Sequence, residues 1–442
     1  MECAIVANRT LQKERDLVMA RRILVEPGSY GCHNMGDVAM MQVAVARLGE
    51  LWPHARIEVV TSRPDLLSHF CPSAVPISAE SRASWLLGRS LIGGLHKKIP
   101  VGISSILLKI ERFFWLRCPV VTEYAVRLKA ALQHRKIPPP AIFRKLITGA
   151  DLLVLSGAGA LNDVFVDSAL PLLDELEFAL NVGLPVVAFG RGLGPLTEPV
   201  LVKKAQDVLP RFKLIGLREG RTALSLLVSF GVPKERIHVT GDDAIELAYR
   251  RHPDSLGNAI GINMRIADYA GTDDETAGKL REPLLRAVQR LNSFFVSVPI
   301  SFHESDSDVK AARKLLGDEY LGSHAAVECP DDVIRQIGKC RVVVTGSYHA
   351  GVFALAQGVS VVALVHSPYY EQKFLGLQEQ FRGGCQIIDL RLPVTSDDIQ
   401  SVIYRAWEYS ERVRDSLLEA AAQQIELSSA TYRAAHSLFP TA

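Results

Sequence analysis

Several side chains able to handle an anion or a proton stand where apolar runs give way to glycine. CRVVVTGSYHAG sets Ser347, Tyr348 and His349 after one such run. An imidazole there can donate to phosphate or shuttle a proton near neutral pH; a lone histidine is more often a hydrogen-bonded piece of structure, but this one stands where a sheet's carboxyl edge is expected. FKLIGLREGRT puts Arg218 after another run, at the expected start of a helix, where the helix dipole disfavours a cation. A bound anion would explain that placement, and so would a salt bridge to Asp242 or Asp243 of VTGDDA. FGRGLGPL holds Arg191 between glycines, as in a side chain projecting from a loop, and HSPYYEQKFLGL offers Tyr370 and Lys373. GINMR and PISFHESDSD add Arg265, His303 and Asp308.

Two glycine-containing stretches could bring backbone close to a ligand. GSYGCHNMGD follows ILVE and opens a helix, with Gly28, Gly31, Asn34 and Gly36 in the turn and Asp37 at the first helical turn. Exposed amides at such an N-terminus favour an anion, and Asp37 is a candidate base or a helix cap. Cys32 has no evident partner base and reads as an ordinary loop residue. In SGAGALND, Gly157 and Gly159 permit close approach, while Asn162 and Asp163 could accept hydrogen bonds from sugar hydroxyls. Neither stretch has the GxGxxG spacing of a dinucleotide fingerprint, since Asn162 stands where a third glycine would be needed.

These loops require strands to present them. RILVE, RIEVV, DLLVL, PVVAFG, KLIGL and RIHV alternate with helical stretches, and the alternation restarts with AIGIN, FFVSV, RVVV and VSVVAL after a polar break. Short Val/Ile/Leu runs bounded by glycine are what a parallel sheet buried on both faces needs. The expected fold is α/β, with two doubly wound Rossmann-like domains facing a cleft. Expected boundaries are an N-terminal extension over 1–21, a first domain over 22–249 with a basic insertion at 82–136, a linker at 250–258, a second domain over 259–396 and a helical segment over 397–442. Ligands should bind at the carboxyl ends of the strands.

The 442 residues are too many for one ordinary core, and the charge of +2 gives no chain-wide attraction for nucleic acid. Seven widely spaced cysteines show no CxxC pairing, which points to a reducing, cytoplasmic setting and no structural zinc. No metal-ligand cluster is evident. Residues 82–136 depart from this balance: eleven Lys and Arg face only Glu111 and Glu123, a local charge of +9. With Trp85, Phe113, Phe114 and Trp115 the segment reads as basic and amphipathic, suited to the inner face of a membrane, a lipid-linked acceptor or, equally, a buried apolar stripe.

Taken in order, GSYGCHNMGDVAM, SGAGALND, FGRGLGPL, LREGRTALSLLVSFGV, VTGDDAIEL and TGSYHAGVFALAQGVSVVAL followed by YYEQKF resemble the polysaccharide pyruvyl transferase family across about 22–380. The resemblance implies a fold like the GT-B glycosyltransferases. It also implies transfer of a pyruvyl group from phosphoenolpyruvate, as donor substrate, to a saccharide acceptor, with no further cofactor. By resemblance Arg218 matches an arginine that binds phosphoenolpyruvate, and His349 the histidine of an Arg-Leu-His signature. Here the signature reads Ser347, Tyr348, His349, so its arginine is missing. Arg191, Arg265 or Lys373 could replace that charge. Otherwise the protein takes a different donor, such as a nucleotide sugar, or acts as a non-catalytic glycan-binding member. The mechanistic expectation makes His349 the acid and Asp37 or Asp163 the base.

Overall fold

The computed structural model describes residues 21–82, 103, 106, 107, 110, 113, 114, 118–132, 140–264, 274–303, 307–321 and 327–439. Arg265, residues 1–20 of the expected N-terminal extension and much of the basic segment therefore lie outside the described residues.

Among the described residues thirteen strands form two parallel sheets. The first comprises β1 (Arg22–Glu26), β2 (Arg56–Thr61), β3 (Val75–Ser78), β4 (Leu152–Leu155), β5 (Ala158–Leu161), β6 (Val186–Leu193), β7 (Leu214–Leu217) and β8 (Ile237–Val239). Its order is β3-β2-β1-β4-β6-β7-β8, with the short β5 also pairing β6. The second comprises β9 (Ala259–Asn263), β10 (Phe294–Ser297), β11 (Cys340–Thr345), β12 (Ser360–Val365) and β13 (Cys385–Asp389), ordered β10-β9-β11-β12-β13. Strands β4, β6, β9 and β12 are buried at every position, because helices cover both faces and neither leaves a row of side chains in water. The architecture is thus two Rossmann-like units.

Two features set the units against each other. The helix Ser396–Leu438 begins with a capping box between Thr395 and Asp398 and runs 43 residues, about 65 Å at the usual rise. Its first turns bury Ile399, Ile403 and Ala406 in the second unit's core, and its last turns stack Tyr432 on Phe189 of β6, ring centroids 3.7 Å apart. One element thereby packs on both units. Across the cleft, Met35 N–H donates to Ile300 O at 2.9 Å and Phe302 N–H to His33 O at 2.8 Å, around an antiparallel bridge between Asn34 and Ser301. The turn after β1 is stitched to the segment after β10.

Some local expectations are corrected. The glycines of FGRGLGPL do not make a loop: Gly190, Arg191 and Gly192 lie inside β6, where Gly190 has φ +57° and the pairing with β7 shifts register. They mark a bulge, which re-aims side chains without ending the strand. Part of SGAGALND is likewise β5, and Arg218 follows β7 directly, five residues ahead of the helix that starts at Ala223.

Candidate active site

A cavity of about 390 Å³ opens at the carboxyl edges of both sheets. The turn after β1 contributes Gly28, Ser29, Asn34 and Asp37, and the β5 region contributes Ala158, Gly159, Ala160, Phe165 and Ser168. Arg218 enters from β7, and the second unit adds His303, Ser347, Tyr348, His349, Tyr369, Tyr370 and Lys373. The sheet edges explain this convergence, since every contributing loop leaves the same end of a parallel strand.

Arg218 is 1% exposed. Its Nε donates to Glu219 at 2.8 Å, its Nη1 lies 3.8 Å from Asp242 Oδ2, and its guanidinium stacks 4.2 Å from the Tyr348 ring centroid. Nη2 has no hydrogen-bond partner. Burial alone would lower the pKa of this side chain, but Glu219, Tyr348 and Asp242 outweigh that and raise it, so the cation persists. Leaving a buried charged donor unmade costs about 1–3 kcal/mol, which an anion reaching Nη2 would recover. The group has room only because glycines surround it: a Cβ on Gly159 would stand 2.8 Å from Nη2, and one on Gly192 2.6 Å.

His349 occupies the first turn of the helix Tyr348–Ala356, beside Ser347 at its N-cap. Its Nε2 lies 3.6 Å from Asp242 Oδ2, an electrostatic contact longer than a hydrogen bond. Asp242 is fixed from the other side, where Oδ1 accepts from Ala244 N–H at 2.9 Å. Burial would raise the Asp242 pKa, yet His349 and Arg218 hold it below the usual carboxylate value. The opposite edge of the imidazole rests on Gly36, where a Cβ would come within 2.2 Å of Nδ1. Gly36 is therefore required for the ring's position rather than for an unusual φ. Tyr348 has a buried hydroxyl without a hydrogen-bond partner, and burial keeps its pKa well above the ordinary phenol value.

Lys373 projects from the helix Pro368–Gln380 into the same cavity, with Nζ 4.0 Å from the Tyr369 ring centroid and 5.6 Å from that of Tyr348. Tyr369 donates from its hydroxyl to Gly159 O at 3.2 Å, joining the two units across the cavity. Asn34 accepts from Gly36 and Asp37 N–H at 3.0 and 3.2 Å, capping the helix Met35–Leu51 and leaving the half-buried Asp37 carboxylate at the cavity wall.

Other sequence-derived positions do structural work. Asp163 accepts from Thr197 N–H, Thr197 Oγ1 and Glu198 N–H, which commits its carboxylate to a loop and makes it a poor base. Asn162 caps the turn after β5 through Val164 and Phe165 N–H, so it is not aimed at a sugar. Gly157 makes room for Met40, whose Sδ would lie 2.4 Å from a Cβ there, and Gly31 abuts His33. Arg191 does not project: it is 1% exposed, donates to Ser156 O at 3.0 Å, and sits behind Gly28. Burial, with Arg218 nearby, lowers its pKa to about 10. Asp308 is buried, its Oδ2 accepting from Asn263, Ile300 and Ser301. Burial raises the Cys32 thiol, against an activated role. Among the described residues no group of three or more His, Cys, Asp or Glu could hold a metal ion.

Sequence reasoning considered Asp242 only as a salt-bridge partner of Arg218 and overlooked Tyr369 and Glu219. The doubled aspartate at the carboxyl edge of β8 was the available signal for the first.

A family model described as polysaccharide pyruvyl transferase matches residues 34–368. No curated protein sequence matches the chain. Among solved structures, S. aureus MnaA with UDP shares 14% identity over 96% of this chain and 98% of its own, with a TM-score of 0.53. A Neisseria meningitidis UDP-GlcNAc 2-epimerase bound to UDP-GlcNAc shares 12% over 94% and 99%, TM-score 0.52. A glycosyltransferase from Rickettsia africae shares 11% over 95% and 97%, TM-score 0.51. These likenesses concern the fold, the two-unit arrangement of GT-B glycosyltransferases and such epimerases.

Proposed function

From the premise that the chain belongs to the polysaccharide pyruvyl transferase family, we propose that it moves a pyruvyl group from phosphoenolpyruvate to a saccharide and closes it as a ketal. The observation that carries this reading is Arg218: a buried cation with an unpartnered Nη2 at the wall of a polar cavity shared by both units. Phosphoenolpyruvate is a small polyanion, so it needs several fixed donors at once. Arg218 supplies one and Lys373 a second, beside Ser347 at the N-terminus of the helix Tyr348–Ala356. Of the three cations that could replace the missing signature arginine, Lys373 lines the cavity, Arg191 lies behind its wall, and Arg265 is outside the described residues. We assign the replacement to Lys373.

Imidazolium at His349 gives a proton to the methylene carbon of the donor, making C2 electrophilic. Asp242, held as a carboxylate 3.6 Å from Nε2, steadies the imidazolium. Asp37 takes the proton of a first sugar hydroxyl as its oxygen bonds to C2. The C2–O bond to phosphate then breaks, a second hydroxyl adds to C2, and its proton leaves with phosphate or returns to His349. One donor and one diol yield one ketal and one inorganic phosphate. Aromatic rings at Phe165 and Tyr370 give a sugar apolar surface on the cavity wall.

Incubating the protein with phosphoenolpyruvate and a panel of glycans should release inorganic phosphate in proportion to ketal formed. No release across the panel, with binding of a UDP-sugar instead, would transfer the protein to the glycosyltransferases. Glycan binding with neither release nor nucleotide-sugar binding would make it a non-catalytic member.

A further inference from the structure

The apolar surface of this protein is unevenly distributed. Of twenty-one large apolar side chains exposed among the described residues, eleven fall between 103 and 142. Five of them, Val120, Val121, Tyr124, Leu128 and Leu132, belong to the helix Pro119–Leu132, and each is more than half exposed. At 3.6 residues per turn they occupy an arc of about 120°, as wide as the stripe by which an amphipathic helix normally enters a core. Here the stripe faces outward, while Thr122 on another face of the same helix is 3% exposed. The neighbouring helix Pro140–Thr148 is anchored through the fully buried Phe143 and Ile147, so the exposed stripe is attached to a packed element.

Charge identifies the occupant. Arg82 contributes nothing to a basic surface, since it is buried in ion pairs with Glu175 and Glu26. Without it, 83–136 still has ten Lys and Arg against two Glu, a charge of +8, and the rest of the chain is at −6. A second copy would bring one positively charged stretch of sequence against its equal and be repelled. An anionic bilayer suits both properties together, because apolar side chains enter the acyl boundary while basic ones meet lipid phosphates. We infer that the helix Pro119–Leu132 docks the protein on an anionic membrane surface. Among the described residues no helix is long and apolar enough to cross a membrane, so the contact is interfacial. The inference is independent of the proposed reaction: either can fail without the other.

The test is sedimentation of the full-length protein with vesicles of mixed phosphatidylglycerol and phosphatidylcholine, and with phosphatidylcholine alone. Binding should favour the mixed vesicles by about tenfold or more and weaken with added salt. The triple variant Val121→Ser/Tyr124→Ser/Leu128→Ser should lose about tenfold in partitioning, and Tyr124→Ser alone a smaller part. All three sites are exposed, and an unchanged near-ultraviolet circular dichroism spectrum would establish that each variant is folded. Absence of wild-type binding, or equal binding by folded variants, would overturn the inference. So would a concentration-dependent dimer that the triple substitution abolishes, which would make the face a contact between copies.

Discussion

Asp242 and Asp243 are consecutive residues after β8, yet they serve regions with opposite accounting. Asp243 faces the helix Ser396–Leu438, and both its oxygens are used: Oδ1 accepts from Ser428 at 2.6 Å and Arg47 at 3.3 Å, and Oδ2 from Tyr432 at 2.7 Å. Asp242 lies behind Arg218 and His349, which line the cavity, and its Oδ2 has no hydrogen-bond partner, like the neighbouring Arg218 Nη2 and His349 Nε2. Burial raises the Asp243 pKa despite Arg47 and two hydroxyls, whereas His349 and Arg218 bring Asp242 below the ordinary value. At Asp243 the polar groups that join the helix to the first unit saturate one another. Where buried groups are left unsatisfied beside a cavity, the deficit points to something that binds there.

The contrast can be broken from either side. Replacing His349 by Ala should cost about 10²–10⁴-fold in kcat for phosphate release with little change in melting temperature; unchanged turnover would remove the imidazole from the reaction. Asp243→Ala should do the reverse. It deprives Arg47 of one of its two acidic partners and strands two buried hydroxyls, so it should cost about 3–5 kcal/mol by denaturant unfolding, with KM for the donor nearly unchanged in the folded fraction.

Asp242→Asn sharpens the comparison because it keeps the shape and removes the charge. If Asp242 steadies the imidazolium, kcat should fall about tenfold to a hundredfold, the equivalent of one charge-assisted contact, and the alkaline limb of the pH–rate profile, where the acid has lost its proton, should move to lower pH. Stability gives a second readout. A carboxyl whose pKa is depressed by folding adds stability above its unfolded value near 3.8 and loses it as pH falls through the folded value. The stability gap between wild type and Asp242→Asn should therefore be full at neutral pH and close below 3.8. A gap that widened in acid would contradict the assignment. The smallest effect is expected for Tyr432→Phe, about 0.5–1.5 kcal/mol by thermal unfolding with kcat unaltered, since one hydrogen bond is lost and the stacking on Phe189 is retained.

The strands were legible because a parallel sheet covered on both faces leaves an unbroken apolar run, as in PVVAFG and VSVVAL. The same legibility extended to the ends of those runs, where the sequence marked Asp37, Arg218, His349 and Lys373, all of which line one cavity. Glycine was the ambiguous sign. Around Arg191 it marks a bulge inside β6 rather than a loop, and next to His349 and Arg218 its missing side chain matters more than its φ. The partnership of Asp242 with His349 was not legible, because it closes across two units and more than a hundred residues and leaves no local pattern. Arg82 misled for a related reason, since its acidic partners Glu26 and Glu175 lie outside the basic stretch to which composition assigns it.

The central claim, that a buried guanidinium with a vacant donor binds a small polyanion, is tested most directly by calorimetric titration of phosphoenolpyruvate into wild type and Arg218→Lys. Lysine keeps the charge but cannot reproduce the forked donors, so the account predicts measurable wild-type binding that weakens about tenfold to a hundredfold in the variant. Equal affinity in the two proteins, or no heat of binding to wild type, would contradict it.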